Sequence, residues 1–287
     1  MIKLSKSYID KKDIKSVQNI MKKMYLGMGP EVLKFEKILS KYFGRNCACV
    51  STGTAALQLA VQAAGLKRGD EIIVPSLTYV ASFQAISANG AKPVSCDVNQ
   101  KNLSLCIEDL KKKITKKTKA IMPVHYAGNT GDLDEIYNIA KKKKLRVIED
   151  AAHAFGSNYK GKKVGSIGDI ACFSFDGIKN ITSGEGGCVV SSDKKIIKKI
   201  KNLRLLGIIN ESNKRYKGKK GFDIDVREQG WRYHMSDLNA ALGISQFKKK
   251  EFFKKKRKTL VRYYLNLLKS FNKIQFLDFN YDEIFQH

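Results

Sequence analysis

The sequence predicts an α/β fold: a three-layer αβα sandwich in which helices cover both faces of a mostly parallel central sheet. Short apolar runs typical of buried strands alternate along the chain with segments of helical periodicity. Strands that are separated by helices form parallel sheets covered on both faces. The chain has 287 residues, 43% of them hydrophobic, so it can bury a sizeable core.

Seven runs are predicted to be strands because they are short, apolar and bounded by turn residues. They are residues 47–50, 71–75, 92–98, 119–126, 145–151, 170–175 and 187–192. Helices are predicted where apolar residues recur at helical spacing and where glycines or a proline mark the ends. They cover residues 10–43 with a break at GMGP (27–30), the segment from STGT (51–54) to Gly65, a stretch ending at Ala88, and residues 132–143 and 193–205.

The character of the chain changes after residue 245. FKKKEFFKKKRKTLVRYYLNLLKSF (247–271) resembles one long, basic amphipathic helix, and IQFLDFNYDEIFQH (274–287) resembles the start of strand-like structure. We therefore expect a large domain over residues 1–245. Residues 246–287 would begin a small C-terminal domain that is incomplete.

The formal net charge of +27 allows two interpretations. One is binding to nucleic acid or another anionic surface, and the other is a set of solvated helix faces rich in lysine. In KKIIKKIKNLRLLG (194–207), apolar residues recur at helical spacing with lysines between them, which favours the second interpretation. Basic motifs interleaved with aromatic residues are lacking in the sequence, so no specific nucleic-acid partner is expected.

Cysteine and histidine usage argues against disulfides and metal sites. The six cysteines form no C-x-x-C pair, and the four histidines lie far apart in sequence. No stretch approaches the roughly 20 apolar residues that span a bilayer, and the N-terminus has no apolar signal-peptide region. We expect buried free thiols in a cytoplasmic protein without a membrane partner.

Polar residues follow several predicted strands, where α/β sheets hold their ligands. Gly53 and Thr54 open a helix after a strand, and a helix N-terminus binds anions, although such residues are also ordinary caps. Asp150 ends the strand LRVIED, where a buried carboxylate needs a cationic partner such as a protonated ring nitrogen. Surface exposure or helix capping is the alternative. His153 follows, and taken alone it is a core or rim histidine.

Lys179 stands apart from the basic runs, between an apolar strand and a glycine-rich turn, in FSFDGIKNITSGEGG (173–187). An apolar pocket disfavours the ammonium form of lysine and lowers its pKa. The neutral amine can attack an aldehyde and form a Schiff base. The local pattern favours equally a lysine that extends from a loop into solvent.

Together these residues resemble the DegT/DnrJ/EryC1/StrS family of sugar aminotransferases, which depend on pyridoxal 5'-phosphate (PLP) and have the aspartate aminotransferase fold (fold type I). The resemblance covers roughly residues 10–250. It rests on these stretches: STGTAALQLAV, GDEIIVPSLTYVAS, PVHYAGNTGDLDEI, VIEDAAHAFGSNYKGKKVGSIGD, CFSFDGIKNITSGEGG and WRYHMSDLNAALG.

The resemblance implies a role for each residue of the motifs. Lys179 would bind the cofactor covalently and move protons, and Asp150 would pair with the pyridine nitrogen. The other cofactor contacts implied are Gly53, Thr54 and Ser174 to the phosphate, Tyr79 stacked on the ring, and His153 near the ring. Glu185 and Gly29, the latter in the GMGP loop, would lie near the substrate.

Two departures from the commonest family pattern stand out. Arg232 replaces an asparagine that reaches the phosphate of the neighbouring subunit, a contact an arginine can also make. Alternatively, Arg232 would bind the diphosphate of the substrate, or its side chain would only face solvent. Asp176-Gly177 replaces an aromatic-proline pair. Members of the family also continue well beyond residue 287.

The resemblance predicts transfer of an amino group from L-glutamate to a nucleotide-linked keto-sugar, for surface polysaccharide. A 4-keto-6-deoxy sugar is the first choice and a 3-keto sugar the second, in a homodimer with shared active sites. The related deoxygenating dehydratases have histidine where Lys179 stands, so they fit less well. A truncated, inactive family member or a basic protein that binds anions or nucleic acid is the alternative from another class.

Overall fold

The computed structural model describes residues 5–209 and 225–287. Seven strands form the central sheet, and each lies within two residues of its predicted start. They are β1 (Asn46–Val50), β2 (Glu71–Pro75), β3 (Lys92–Cys96), β4 (Thr118–Ile121), β5 (Arg146–Asp150), β8 (Ile170–Ser174) and β9 (Gly187–Ser191). The short strands β6 (Asn158–Tyr159) and β7 (Lys162–Lys163) form a separate antiparallel hairpin.

The strand order of the central sheet is β1-β9-β8-β5-β4-β2-β3. Neighbours pair in parallel from β8 to β3, whereas β9 runs antiparallel to both β1 and β8. Six strands therefore point the same way, and their carboxyl ends lie along one edge. This arrangement confirms the predicted mostly parallel sheet.

Helices lie on both faces of the sheet. In the described part of the chain the helices are α1 (Lys11–Lys22), α2 (Pro30–Phe43), α3 (Gly53–Ala63), α4 (Val80–Ser87), α5 (Ile107–Lys113), α6 (Leu133–Lys143), α7 (Lys194–Leu203), α8 (Asp237–Lys248) and α9 (Lys250–Leu268). Helix α1 packs on α8 rather than on the sheet, and α9 extends beyond it. Alternate residues of one strand enter different cores: in β8, Cys172 packs with α3 and α7, and Phe173 packs with α2. Both faces of the sheet are therefore buried, as parallel strands require.

Helix α7 confirms that lysines decorate a solvated helix face. Its residues Ile196, Ile197, Ile200 and Leu203 are buried in the core, whereas Lys198 is exposed. The spacing of these apolar residues places them on one side of the helix.

The long basic helix predicted over residues 247–271 is confirmed as α9, although it begins only at Lys250. It meets α8 at Lys249, where φ is −98° and ψ is 1°. The Lys249 ammonium pairs with Asp10 at 3.1 Å and also with Asp13, which holds the junction against α1. None of the described residues of α9 is buried.

The strand-like structure expected in residues 274–287 is wrong, because this segment consists of turns and irregular backbone. Ile284 and Phe285 are buried, and the Phe285 ring lies where a Cβ on Gly156 would come within 2.5 Å of it. The segment is held by this packing and by two hydrogen bonds to the chain around β6: the Asn158 N–H donates to the Glu283 carbonyl at 2.8 Å, and the Phe285 N–H donates to Oγ of Ser157 at 2.9 Å. The division at residue 245 stays a prediction, and residues 1–4 and 210–224 of the large domain lie outside the described part.

Across the described residues, no helix combines the length and apolar character that a bilayer span needs.

Candidate active site

The N-terminus of α3 forms the floor of the site, next to the end of β1. Thr52, rather than Thr54, caps this helix, because its hydroxyl accepts the N–H of Ala55 at 3.0 Å. The first N–H groups of a helix have no acceptor within the helix. Those of Gly53 and Thr54 are therefore left for an anion, which the helix dipole also favours.

Gly53 is needed because strand β8 ends directly against it. A Cβ at Gly53 would lie 2.7 Å from Cβ and 3.1 Å from Oγ of Ser174. Gly187, in the GEGG turn, approaches from the other side: its Cβ would lie 2.5 Å from the carbonyl oxygen of Thr52. The two glycines thus allow the Ser174 hydroxyl to lie beside the helix N-terminus. Its contact with a phosphate stays a prediction.

Asp150 lies at the carboxyl end of β5 and is 6% exposed. Its Oδ2 accepts the hydroxyl of Ser82 at 2.7 Å, and its Oδ1 accepts the N–H of Ala152 at 3.2 Å. Burial raises the pKa of the carboxyl, while these hydrogen bonds and the charges of His125 and Lys179 lower it. The site therefore offers a buried carboxylate that a cationic partner would stabilise.

Sequence reasoning missed the hydroxyl groups that hold Asp150. Ser82 is fully buried on α4, and its Oγ lies 2.7 Å from Oγ of Thr78, four residues earlier. The sequence signal for this support of Asp150 is the four-residue spacing of Thr78 and Ser82. It is a weak signal, because Ser and Thr at the start of a helix are usually caps.

Lys179 lies in the loop after β8 and is partly buried. Burial lowers the pKa of its ammonium group, and the charges of Asp176 and Asp150 oppose that shift. The loop is fixed by local hydrogen bonds: the Lys179 N–H donates to the Asp176 carbonyl at 3.1 Å, and the Ile178 N–H donates to Asp176 Oδ1 at 3.1 Å. A lysine in this setting is a better nucleophile than one in solvent.

His153 borders the site beside Lys179. Burial and the charge of Lys179 lower its pKa to about 4, so it is neutral at physiological pH. Its Nδ1 accepts the N–H of Ala127 at 3.4 Å. The His287 ring stacks on it with centroids 4.0 Å apart, a contact between distant parts of the chain that no local pattern indicates.

Asn180 ties the lysine loop to the C-terminal segment. Its Nδ2 donates to the carbonyl oxygens of Phe155 at 2.9 Å and of Phe285 at 3.0 Å. Arg257 donates in turn to Asn180 Oδ1 at 3.0 Å and to the Gln286 carbonyl at 2.8 Å. The C-terminal residues therefore pack directly against the loop that carries Lys179.

Tyr79, Glu185 and Gly29 have less defined surroundings. Tyr79 is 77% exposed just after β2, so its ring is open to a ligand. Glu185 is exposed, and partial burial followed by the charge of Asp176 raises its pKa. Gly29 is buried, and its N–H donates to Oδ1 of Asp237 at 2.9 Å, so it serves the packing of α2 on α8. Contact of these three residues with a ligand stays a prediction.

Arg232 is exposed, whereas the residues on either side of it contact helix α3. Trp231 Nε1 donates to Oε1 of Gln62 at 2.9 Å, and the Tyr233 hydroxyl donates to Oε1 of Gln58 at 3.2 Å. In an extended segment, neighbouring side chains point to opposite sides. The Arg232 side chain therefore faces away from the domain.

The residues present fit PLP. The helix N-terminus with Ser174 suits a phosphate, the buried Asp150 suits a protonated ring nitrogen, and Lys179 suits an aldehyde. Within residues 5–209 and 225–287, no group of three or more His, Cys, Asp or Glu side chains could hold a metal ion.

Comparison with known proteins agrees with this geometry. The DegT/DnrJ/EryC1/StrS aminotransferase family matches residues 7–284. The spore coat polysaccharide biosynthesis protein SpsC of Bacillus subtilis is 36% identical over 257 residues, covering 89% of this chain and 66% of SpsC. The UDP-4-amino-4-deoxy-L-arabinose--oxoglutarate aminotransferase of Shewanella sediminis is 35% identical over 266 residues, covering 92% of this chain and 68% of that protein.

Among solved structures, the PLP form of Spr1654 from Streptococcus pneumoniae superposes with a TM-score of 0.87 at 30% identity. The match covers 94% of this chain and 72% of that chain. The chain thus spans about two thirds of the length of these curated relatives.

Proposed function

This chain belongs to the DegT/DnrJ/EryC1/StrS aminotransferase family, whose cofactor is PLP, and we propose that it moves an amino group onto a nucleotide-linked keto-sugar. The observation that carries this proposal is the placement of Lys179 and Asp150 in one site. Both are far more buried than an ordinary surface charge, and each one's charge shifts the other's pKa. When bound, PLP supplies an electron sink that stabilises negative charge at the carbon from which a proton is removed.

Lys179 supplies the base. Because its pKa is lowered by burial, more of it is a neutral amine near neutral pH than of a lysine in solvent. Such an amine can take a proton from one carbon and return it to another, as a general acid–base group within a closed site. Asn180 and Asp176 fix the loop around it, so that its reach is defined.

Asp150 and the α3 N-terminus would orient the cofactor between them. The carboxylate of Asp150 would pair with the ring nitrogen, held in place by the hydroxyl of Ser82. The N–H groups of Gly53 and Thr54, together with Ser174, would hold the phosphate. His153 is uncharged at neutral pH and would lie beside the ring without competing for the phosphate.

The substrates are inferred from relatives. The Shewanella sediminis relative is named for a UDP-amino sugar and oxoglutarate, and the Bacillus subtilis relative for polysaccharide biosynthesis. Since oxoglutarate is the keto form of L-glutamate, we take L-glutamate as the donor. A 4-keto-6-deoxy sugar is the acceptor of first choice, and a 3-keto sugar the second. Location in the cytoplasm stays a prediction.

Arg232 supports a shared site in a homodimer. It is exposed and faces away from its own domain, which is consistent with a role towards the phosphate in a second copy. Replacement of Arg232 by alanine should weaken PLP binding without changing the fold, and sizing chromatography with and without PLP would show whether binding requires the dimer. A monomer with full PLP affinity would rule out this role.

The visible absorption spectrum of the purified protein tests the function. We expect a visible absorption band from covalently bound PLP that disappears when L-glutamate is added and does not form in Lys179→Ala. Lys198→Ala, on the exposed face of α7, is the matched lysine control. A panel of nucleotide keto-sugars should then restore the band, and the sugar that does so fastest identifies the substrate. A colourless protein that binds DNA with steep salt dependence would favour the alternative.

A further inference from the structure

Arg257, on helix α9, joins two parts of the molecule that meet beside the candidate site. Its Nη1 group donates to Oδ1 of Asn180 at 3.0 Å and to the carbonyl oxygen of Gln286 at 2.8 Å. Asn180 directly follows Lys179, and Gln286 belongs to the C-terminal segment. One guanidinium therefore holds both the loop that carries the candidate base and the segment that packs against that loop.

The guanidinium of Arg257 is partly buried without an acidic partner. Its polar and ring contacts in the described part of the chain are the two oxygen atoms and the ring of Phe285, whose centroid lies 5.7 Å from Cζ. Burial lowers the pKa of the guanidinium. Removing a cation from water is costly unless other partners replace the water, so the two hydrogen bonds from Nη1 are the interactions that hold this side chain.

Other residues of α9 already attach the helix to its surroundings. Lys258 and Arg262 both pair with Asp282, at 2.6 and 2.9 Å, and Lys254 donates to the carbonyl oxygen of Gly156 at 2.9 Å. Among the described residues of α9, only Arg257 donates a hydrogen bond to the loop that follows β8. What Arg257 adds to the attachment of the helix is therefore a bond to that loop.

The bond from Arg257 fixes the orientation of the Asn180 amide. Asn180 is 3% exposed, and its Nδ2 donates to the carbonyl oxygens of Phe155 and Phe285 at 2.9 and 3.0 Å. Its Oδ1 can only accept hydrogen bonds, and Arg257 donates to it. Because buried polar atoms are costly to leave unpaired, the amide cannot rotate easily, and it anchors the backbone next to Lys179.

This anchor sets the position of the loop, which its local bonds do not. The Lys179 N–H donates to the Asp176 carbonyl within the loop itself, which fixes the shape of the turn. The bond from Asn180 to the Phe155 carbonyl instead joins the loop after β8 to the segment after β5, the strand that ends at Asp150. The distance between the base and the carboxylate therefore depends on Asn180.

We propose that Arg257 is a positioning residue of the site: by holding the Asn180 amide, it keeps Lys179 in place relative to Asp150. The inference rests on the proposed function for the role of Lys179. It differs from a structural role, in which Arg257 would attach α9 and the C-terminal segment without any effect on the lysine.

Two methionine variants on α9 separate these roles. Arg257→Met removes both hydrogen bonds and keeps an apolar side chain beside Phe285, whereas Lys254→Met removes only the bond to Gly156. Residues three apart are neighbours on a helix surface, so both variants alter the attachment of the same part of α9. Only Arg257→Met should act on Lys179, and the melting temperature of each protein is recorded beside the other measurements.

The first measurement is the rate at which the visible band of covalently bound PLP appears after mixing. In Arg257→Met the rate at saturating PLP should fall at least about tenfold, as for loss of a hydrogen bond from a charged donor. The PLP concentration that gives half of the maximal rate should stay within about twofold of wild type, because the helix N-terminus at Gly53 is unchanged. Lys254→Met should match wild type in both values within about twofold.

The second measurement needs no PLP. In the PLP-free protein, hydrogen–deuterium exchange at the N–H groups of Lys179 and Ser183, which are bonded within the loop, should be at least about tenfold faster in Arg257→Met. Lys254→Met should leave both exchange rates within about twofold of wild type. Asn180→Ala tests the route: if Arg257 acts through Asn180, adding Arg257→Met to Asn180→Ala produces no further change.

Three results would overturn the inference. They are equal effects of the two methionine variants, a wild-type rate of band formation in Arg257→Met, and an effect of Arg257→Met that adds in full to that of Asn180→Ala. If the Asn180→Ala protein does not fold, the two methionine variants still decide. If wild type forms no band with PLP, the proposed function fails, and the exchange rates at Lys179 still decide whether Arg257 orders the loop.

Discussion

The lysines of α7 and the lysine that follows β8 lie in opposite environments. Lys194, Lys195 and Lys198 are exposed on a helix whose other face is buried. Lys179 lies in a loop pinned by its own hydrogen bonds, where burial lowers its pKa and the charge of Asp150 acts on it. The same side chain is a solvated charge in one region and a candidate base in the other.

This difference shows that surroundings, rather than the number of basic residues, locate the chemistry. The net charge of +27 comes mostly from lysines like those of α7. Exposed charges of that kind contribute little to the free energy of unfolding. Burial also lowers the pKa of Lys254, so a lowered pKa alone does not locate the chemistry. Lys179 carries the inference of function because the buried carboxylate of Asp150 acts on it.

The largest expected effect is selective labelling of Lys179. With one equivalent of PLP at pH 7.5, followed by borohydride reduction, we expect the peptide that contains Lys179 to carry at least about ten times the label of any α7 lysine. The reason is that only neutral amines react, and burial enriches that form at Lys179. Peptide mapping by mass spectrometry measures the ratio.

Lys179→Ala is the control for this labelling. The remaining label should fall on other lysines, including Lys254, whose pKa burial also lowers, and the α7 lysines should carry no more label than in the wild type. If the α7 peptides of the wild type carry as much label as the Lys179 peptide, burial does not make Lys179 more reactive than a solvated lysine.

The sequence predicted the regular parts of the fold well. All seven strands of the sheet and the break at GMGP follow from local periodicity and from glycine and proline, which act within a few residues. The long basic helix after residue 245 also follows from local periodicity. The structure of residues 274–287 was misjudged because its cause is distant: Phe285 is held by packing on Gly156.

The candidate site divides in the same way. Lys179, Asp150 and Gly53 could be proposed because each stands at a strand end within a recognisable motif. The hydroxyl of Ser82 and the guanidinium of Arg257 could not, because their partners lie 68 and 77 residues away in sequence. Sequence motifs thus identified the groups that we propose meet the ligand, while the groups that support them required the fold.

A smaller effect is expected for Asp150→Asn on the stability of the PLP-free protein. Folding raises the pKa of this carboxyl through burial, so the ionised form opposes folding. The wild type should therefore lose stability as the pH rises above the ordinary value of 3.8 and through the raised pKa. Asparagine avoids this loss, and we expect its melting temperature at pH 7 to be higher by about 2–4 °C, which corresponds to about 1 kcal/mol, although activity is lost.

Asp169→Asn is the matched control for that measurement. Asp169 accepts two hydrogen bonds from Arg146, at 2.7 and 2.8 Å, and one from the N–H of Val147. A carboxylate with these partners stabilises the fold, so its replacement should lower the melting temperature. Thermal melts from pH 5 to pH 8 compare the two, and a drop for both variants would show that burial of Asp150 is already offset in the PLP-free protein.

The smallest effect is expected on the solvated face of α7. Replacement of Lys194, Lys195 and Lys198 by glutamate should change the free energy of unfolding by no more than about 0.5 kcal/mol per site, and PLP affinity should not change. Ile200→Ala, on the buried face, should cost about 2–5 kcal/mol because it opens a cavity in the core. Denaturant melts give both values. Only retention on an anionic resin should fall for the glutamate variant, and a loss of PLP binding there would show that the surface charge acts on the site after all.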